Sequence, residues 1–179
     1  MKTIAILIFQ VFLLALIACE KEDNDLPVTL KLELLDENSV SCNQFEYGEN
    51  IIFSFKMTNN LDSILYYDLS FMNDEFFKVY LKDGDDLIAI GKPYVSLYLE
   101  LRYGQFFISG NTTSGNFLPW ISDSSIVHVP PCFVIHPNEP LEKGDYVTGF
   151  TSDFKFYTKD KSEIYELKNQ SFEVNFIIE

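Results

Sequence analysis

The feature that most constrains the fold is an alternation of apolar and polar residues with a period of two. In the stretch IIFSFKMTN, residues 51–59, one face carries Ile51, Phe53, Phe55 and Met57, and the opposite face is largely polar. Residues 28–35, VTLKLELL, alternate in the same way. Successive side chains of a β-strand point to opposite sides, so this period predicts strands with one face on a core and one toward solvent.

Most of the remaining chain also predicts strands separated by turns. FFKVYL and LIAIG flank the turn sequence KDGDD, in which Asp83-Gly84 favours a tight hairpin. Further candidate strands are residues 97–102, 105–108, 125–129, 132–136, 146–157 and 172–178. Residues 162–169, SEIYELKN, predict either a short helix or a loop that enters the last strand.

Aromatic content points to the way these strands pack. The chain has 17 Phe and 10 Tyr residues, and aromatic side chains at alternating strand positions suit the inner faces of two packed sheets. Short strands at regular spacing with turn residues between them are typical of a sandwich. We therefore expect an all-β protein, an immunoglobulin-like antiparallel β-sandwich, formed by one domain over residues 28–179.

The N-terminal region predicts an export signal and a lipid anchor. Residues 4–18 are almost wholly apolar and follow Lys2, but this run is shorter than the ~20 residues that a membrane-spanning helix needs. Residues 16–19, LIAC, resemble the lipobox of bacterial lipoproteins, in which the signal peptide is removed before a lipidated cysteine. The resemblance implies a signal peptide over residues 1–18 and attachment to a membrane through lipid on Cys19.

An acidic segment follows that cysteine. Residues 19–27 contain four carboxylates and predict a flexible tether; they also resemble the acidic export signal of Bacteroidetes-type surface lipoproteins. The resemblance implies an outer-membrane location, with the cell surface and the periplasmic face both open. The net charge of −14 argues against nucleic acid as a partner, because binding a polyanion requires clustered Lys and Arg.

The other two cysteines leave two alternatives. In an oxidising compartment Cys42 and Cys132 could form a disulfide, or each could be a buried free thiol. The sequence offers no metal-ligand spacing, no nucleophile elbow and no phosphate-binding glycine loop, so we expect no metal, no cofactor and no enzymatic activity. His128 and His136 lie in strand-like runs, where a structural imidazole is the simpler interpretation.

One aromatic stretch is a candidate for ligand recognition. Residues 91–120 include Tyr94, Tyr98, Tyr103 and Trp120 around a Gly/Asn/Thr/Ser-rich segment that reads as an exposed loop. Exposed aromatic rings can stack on sugars or anchor a protein partner. The alternative is that these rings fill the core.

Motifs along the domain resemble a known family. FEYGENIIFSFKMTNN, FFKVYLKDGDDLI, FLPWI and LEKGDYVTGF are similar in order and character to intracellular proteinase inhibitor domains of the Bacillus type and to related immunoglobulin-like lipoprotein domains. The resemblance implies the sandwich fold and, as an alternative function, protease inhibition through an exposed loop at residues 110–117. The leading expectation is a lipid-anchored, extracytoplasmic, non-enzymatic module that binds a glycan or a protein.

Overall fold

The computed structural model describes residues 26–97, 105–121, 127–129, 133–135 and 138–179. Within these ranges the chain contains β-strands and turns but no helix. The strands are β1 (Val28–Leu35), β2 (Gln44–Phe45), β3 (Ile52–Asn59), β4 (Leu65–Tyr67), β5 (Val79–Asp83), β6 (Asp86–Gly91), β7 (Ser96–Leu97), β8 (Phe106–Ile108), β9 (Thr113–Pro119), β10 (Val127–Val129), β11 (Phe133–Ile135), β12 (Gly144–Tyr157) and β13 (Ile164–Ile178). The expected all-β sandwich is confirmed.

One layer is a three-stranded antiparallel sheet, here called sheet A, in the order β1-β3-β9. The alternation in β3 fixes which side of this sheet meets the core, because Ile51, Phe53, Phe55 and Met57 are all buried. The predicted apolar face of residues 51–59 is thus the inner face of sheet A.

The second layer, sheet B, is built on the long strands β12 and β13. Its main path runs β2-β13-β12-β4-β8, and the β5-β6 hairpin joins the same edge of β12 further along that strand. The pairs are antiparallel except for β2, which runs parallel to β13. A smaller sheet has the order β10-β11-β7.

Aromatic rings fill the space between sheets A and B. Phe55 of β3 lies at the centre, with ring centroids 5.3 Å from both Phe150 and Phe172 and 5.7 Å from Phe154. Phe71 and Phe76, from the segment between β4 and β5, close the cluster at 5.5 and 5.8 Å from Phe55. Most of these pairs are edge-to-face, the arrangement that the ring quadrupole favours.

The predicted hairpin is confirmed at β5 and β6. Asp83 pairs with Asp86, which leaves Gly84 and Asp85 as a two-residue loop. Gly84 has φ +63°, and a positive φ at the first loop position is the requirement of a type II′ turn, whose twist matches that of the flanking strands.

Two segments differ from expectation. Residues 164–169 are the start of β13 rather than a helix or a loop, because residues 164–167 pair with residues 154–157 of β12 and extend that hairpin. Residues 113–119, which read as loop from their Gly, Asn and Ser content, form β9, since all seven pair with β3. In both cases cross-strand hydrogen bonding outweighs weak local preference.

Candidate functional site

Three aromatic side chains form a row across the outer face of sheet B. Phe107 of β8 pairs with Tyr66 of β4, and Tyr66 pairs with Tyr157 of β12. The ring centroids lie 6.3 Å apart for Phe107 and Tyr66, and 6.2 Å apart for Tyr66 and Tyr157. Ile164 of β13 pairs with Tyr157 and continues the line. We call Phe107, Tyr66 and Tyr157 the aromatic row.

The aromatic row is accessible to solvent along its length, most of all at Phe107. Phe107 is 60% exposed and Ile164 is 50% exposed, while Tyr66 and Tyr157 are partly buried between their neighbours. Large apolar side chains scattered singly on a surface are ordinary, but a contiguous line of them is a feature of binding surfaces. The row is therefore a candidate binding surface.

Aromatic doublets in the sequence create this row. Tyr66-Tyr67, Phe106-Phe107 and Phe156-Tyr157 each place one ring on either side of sheet B, since adjacent strand residues point to opposite faces. The inward rings form a second row, with centroids 5.8 Å apart for Tyr67 and Phe106 and 6.1 Å apart for Tyr67 and Phe156. The inner row is part of the core and holds the strands that carry the outer one.

Polar groups border the aromatic row at the β12–β13 turn. Lys161 Nζ lies 5.6 Å from the centroid of the Tyr157 ring, at cation–π distance. Asp160 Oδ1 accepts hydrogen bonds from the backbone N–H and the hydroxyl of Ser162 and from the hydroxyl of Thr158, and these bonds lower the pKa of that carboxyl below its ordinary value. Apolar rings beside fixed hydrogen-bonding groups are the combination that an amphipathic ligand requires.

An ion-pair line separates the aromatic row from the rest of the face. Glu166 lies 3.5 Å from Lys155 Nζ and 3.4 Å from Lys168 Nζ. Lys155 and Glu166 are cross-strand partners on β12 and β13, two residues from the pair formed by Tyr157 and Ile164. Because side chains two apart share a face, the ion pairs and the aromatic row lie on the same side of the sheet.

Further along the same sheet there is a groove of about 340 Å³ lined by Glu75, Tyr80, Gly149 and Glu173. Gly149 leaves the floor open, and a Cβ there would lie only 2.2 Å from the carbonyl oxygen of Phe172. A larger cleft of about 650 Å³ lies beyond it, lined by polar side chains that include Gln44, Lys82 and Asn175.

The Glu75 carboxylate of the smaller groove does not have the character of a glycosidase general acid. Glu75 accepts hydrogen bonds from the Tyr80 hydroxyl and from Lys78 Nζ. The Tyr80 bond, followed by the Lys78 bond, lowers the pKa of Glu75, although partial burial acts in the opposite direction. A general acid in glycoside hydrolysis needs a raised pKa.

Sheet A carries a different polar cluster on its outer face. Glu33 of β1 is only 6% exposed and pairs with Lys31 Nζ at 2.6 Å and with Lys56 Nζ at 2.5 Å. Burial alone would raise the pKa of Glu33, but hydrogen bonds and charge interactions with the two lysines outweigh it and lower that pKa. Lys56 also lies over the exposed ring of Phe117, 5.7 Å from its centroid.

Two of the four sequence-predicted binding residues are core residues. Trp120 is 4% exposed and donates its indole N–H to the carbonyl oxygen of Glu139 at 2.9 Å. Tyr94 is 7% exposed and donates its hydroxyl to the carbonyl oxygen of Phe76 at 3.0 Å. Backbone carbonyls satisfy both polar tips, so these rings can be buried, and the expectation that they form an exposed surface is corrected. Tyr98 and Tyr103 lie outside the described residues.

The structure also corrects the expectation of an exposed loop at residues 110–117. Residues 113–117 lie within β9, and the preceding turn packs closely, since a Cβ on Gly110 would lie 2.1 Å from the carbonyl oxygen of Asp62. Asn111 and Thr112 anchor the same turn through hydrogen bonds to Leu61, Asp62 and Ser109. The segment is thus a sheet edge and a tight turn rather than a protruding loop.

The cysteine predictions stay largely untested. Cys42 is a free, partly buried thiol, and burial, together with the charges of Asp36 and Glu49, raises its pKa. Cys19 and Cys132 lie outside the described residues, as does His136. The described part of the chain contains no cluster of His, Cys, Asp and Glu able to hold a metal ion, and no helix in it is long and apolar enough to cross a membrane.

Comparison with known proteins adds no relative. A scan against protein-family models and a search of curated proteins found no match to the chain.

Proposed function

We propose that the protein is a lipid-anchored, non-enzymatic module that binds carbohydrate on the outer face of sheet B. The observation that carries the proposal is the aromatic row, with Phe107, Tyr66 and Tyr157 on three adjacent strands at centroid spacings of 6.3 and 6.2 Å. Sugar rings have apolar C–H faces that pack on aromatic rings, and a line of rings offers this contact to several units of a chain.

The surroundings of the row suit such a ligand. Lys161, Ser162 and Asp160 lie at the turn beside Tyr157 and provide donors and acceptors for hydroxyl groups. The net charge of −14 favours a neutral ligand over an anionic one, because anions are repelled at long range. A neutral oligosaccharide or polysaccharide is therefore the ligand class that we propose.

The row supports this function better than the alternatives. Protease inhibition by residues 110–117 would need a rigid segment that enters a protease cleft, and most of these residues belong to β9. An enzyme would need converging groups with suitably shifted pKa values, and the Glu75 carboxylate is held by Tyr80 and Lys78 instead.

Binding is tested with a panel of neutral polysaccharides by retardation in native gels, followed by titration with oligosaccharides of the retained type. We expect Tyr66→Ala and Tyr157→Ala each to weaken binding by about 30-fold, the effect of removing an aromatic hot spot. Tyr66→Phe keeps the ring and should retain most of the affinity. Phe117→Ala, which removes an exposed ring from the outer face of sheet A, is the matched control and should leave binding unchanged.

Aromatic rows also stabilise sheets through cross-strand contacts, so thermal unfolding is measured on every variant. If the row has only a structural role, Tyr66→Ala unfolds at a lower temperature than the wild type, and no polysaccharide slows the wild type in the gel. That result, or equal losses of affinity in Tyr66→Ala and Phe117→Ala, would refute carbohydrate binding at this site.

The anchoring half of the proposal has a separate test. Lipid on Cys19 predicts that the full chain incorporates radiolabelled palmitate and partitions with membranes, and that Cys19→Ala loses both properties. A wild-type chain without incorporated lipid would exclude the anchor but would leave the carbohydrate site unaffected.

A further inference from the structure

A second exposed surface lies at the edge of sheet B formed by β6. In the part of the chain that the structure describes, β6 pairs with β5 alone. Its residues Asp86 to Ile90 are exposed on both faces, with Leu87 57%, Ile88 46% and Ile90 42% exposed. An exposed apolar edge strand is a template for pairing with another strand, and soluble proteins usually protect such edges with charges, proline or a covering segment.

The hairpin register shows which backbone groups are free at this edge. Asp83 and Asp86 close the two-residue loop and form a hydrogen-bonded pair. Bonded and non-bonded pairs alternate along an antiparallel ladder, so Ile88 is bonded to β5, whereas the N–H and C=O groups of Leu87 and Ala89 point away from it. The free edge of β6 thus presents the backbone N–H and C=O groups of two residues, Leu87 and Ala89, with Ile88 between them.

This arrangement is self-complementary. If a second β6 runs antiparallel with Ile88 opposite its own copy, each Leu87 faces the other chain's Ala89, and all the outward groups are paired. The same register brings the acidic turn of one copy, with Asp85 and Asp86, beside Lys92 of the other, at both ends of the contact. A twofold contact of this kind is closed and cannot propagate into fibres.

We propose that the protein forms a homodimer through antiparallel pairing of β6 with β6. The pairing joins the two copies of sheet B into one continuous sheet through the hairpins of both chains. The twofold axis of an antiparallel strand pair is perpendicular to the sheet, so the outer faces of both copies point to the same side. If the proposed carbohydrate site is correct, a dimer offers two aromatic rows to one polysaccharide and gains avidity.

The pairing is tested in the full chain by disulfide cross-linking with a mild oxidant. Ile88→Cys places two thiols opposite each other in a non-bonded pair, where Cα atoms lie ~4.5 Å apart, within the range that a disulfide spans. We expect a dimer band on non-reducing gels. Ile164→Cys, equally exposed but far from this edge, measures random collision, and the unmodified chain measures the contribution of its native thiols.

A second substitution shows whether the edge hydrogen bonds are responsible. Ala89→Pro removes an outward N–H that the β5–β6 hairpin does not use, so the fold keeps its pairing. Combined with Ile88→Cys it should reduce the cross-linked fraction at least about tenfold, the change produced by losing a required contact. Ala89→Thr keeps the N–H and should leave the cross-linked fraction unchanged.

The outcomes separate the possibilities. Strong cross-linking of Ile88→Cys that Ala89→Pro abolishes and Ala89→Thr preserves supports the dimer. Cross-linking no stronger than that of Ile164→Cys, or unaffected by Ala89→Pro, overturns it. Neither result depends on carbohydrate binding, which is measured with the Tyr66 and Tyr157 variants.

Discussion

Replacement of Phe55 by alanine is the sharpest test of the core. The Phe55 ring is 0% exposed and has five aromatic neighbours with centroids 5.3 to 5.8 Å away. Replacing a buried phenylalanine by alanine removes its buried apolar surface and leaves a cavity, which together typically cost about 3–5 kcal/mol. The loss of several ring pairs, each contributing about 0.5–1.5 kcal/mol, favours the upper end of that range, so we expect a loss of about 5 kcal/mol.

That loss is a large part of the total stability, because the free energy of unfolding of domains of this size is about 5–15 kcal/mol. Urea unfolding followed by fluorescence is a suitable assay, since Trp120 is the single tryptophan and is buried in the core. Phe107→Ala makes the same chemical change at a ring that is 60% exposed and should cost about 1 kcal/mol or less. Similar losses for Phe55→Ala and Phe107→Ala would refute the assignment of the inner and outer faces.

Two other substitutions test buried polar contacts. Asn59→Ala removes a buried amide that donates to the carbonyl oxygens of Ser63, Ile108 and Ser109 and accepts from the N–H of Leu61. We expect the free energy of unfolding, measured in urea, to fall by about 3 kcal/mol. A decrease below about 1 kcal/mol would contradict this role. Glu33→Gln tests the ion pairs of sheet A: the folded-state pKa of Glu33 lies below its ordinary value of 4.5, so its contribution to stability is present above that pH and is lost as pH falls through the folded pKa. The wild type should therefore be more stable than Glu33→Gln by about 1–2 kcal/mol at pH 7, and the two should converge below pH 4.5; a constant difference across this range would exclude the linkage.

Local sequence patterns could predict the strands whose burial is regular. The alternation in β1 and β3 identified the inner face of sheet A, and the Asp83-Gly84 signal identified the β5–β6 hairpin. Local patterns do not predict strand β9, because its Gly, Asn and Ser residues have weak strand preference and its stability comes from pairing with residues far away in sequence.

The candidate site was harder to predict for the same reason. The doublets at 66–67, 106–107 and 156–157 are visible in the sequence, but only strand pairing brings them into one row. Trp120 and Tyr94 are large amphipathic rings that suit an exposed binding surface, yet backbone carbonyls satisfy their polar atoms inside the core. An aromatic doublet within a strand therefore indicates one ring on each face of the sheet.

The central place of β12 in sheet B has a consequence for the order in which the chain can fold. Strands β4 and β5 pair with residues 156–157 and 146–148 of β12, which follow them in sequence by more than sixty positions. Closing such separations costs chain entropy before any contact is gained, whereas the β5–β6 hairpin is local and closes cheaply. A growing chain can therefore pair β1 with β3, β5 with β6 and β4 with β8 early, but β4 and β5 gain β12 as a common neighbour only when the last third of the protein has been synthesised.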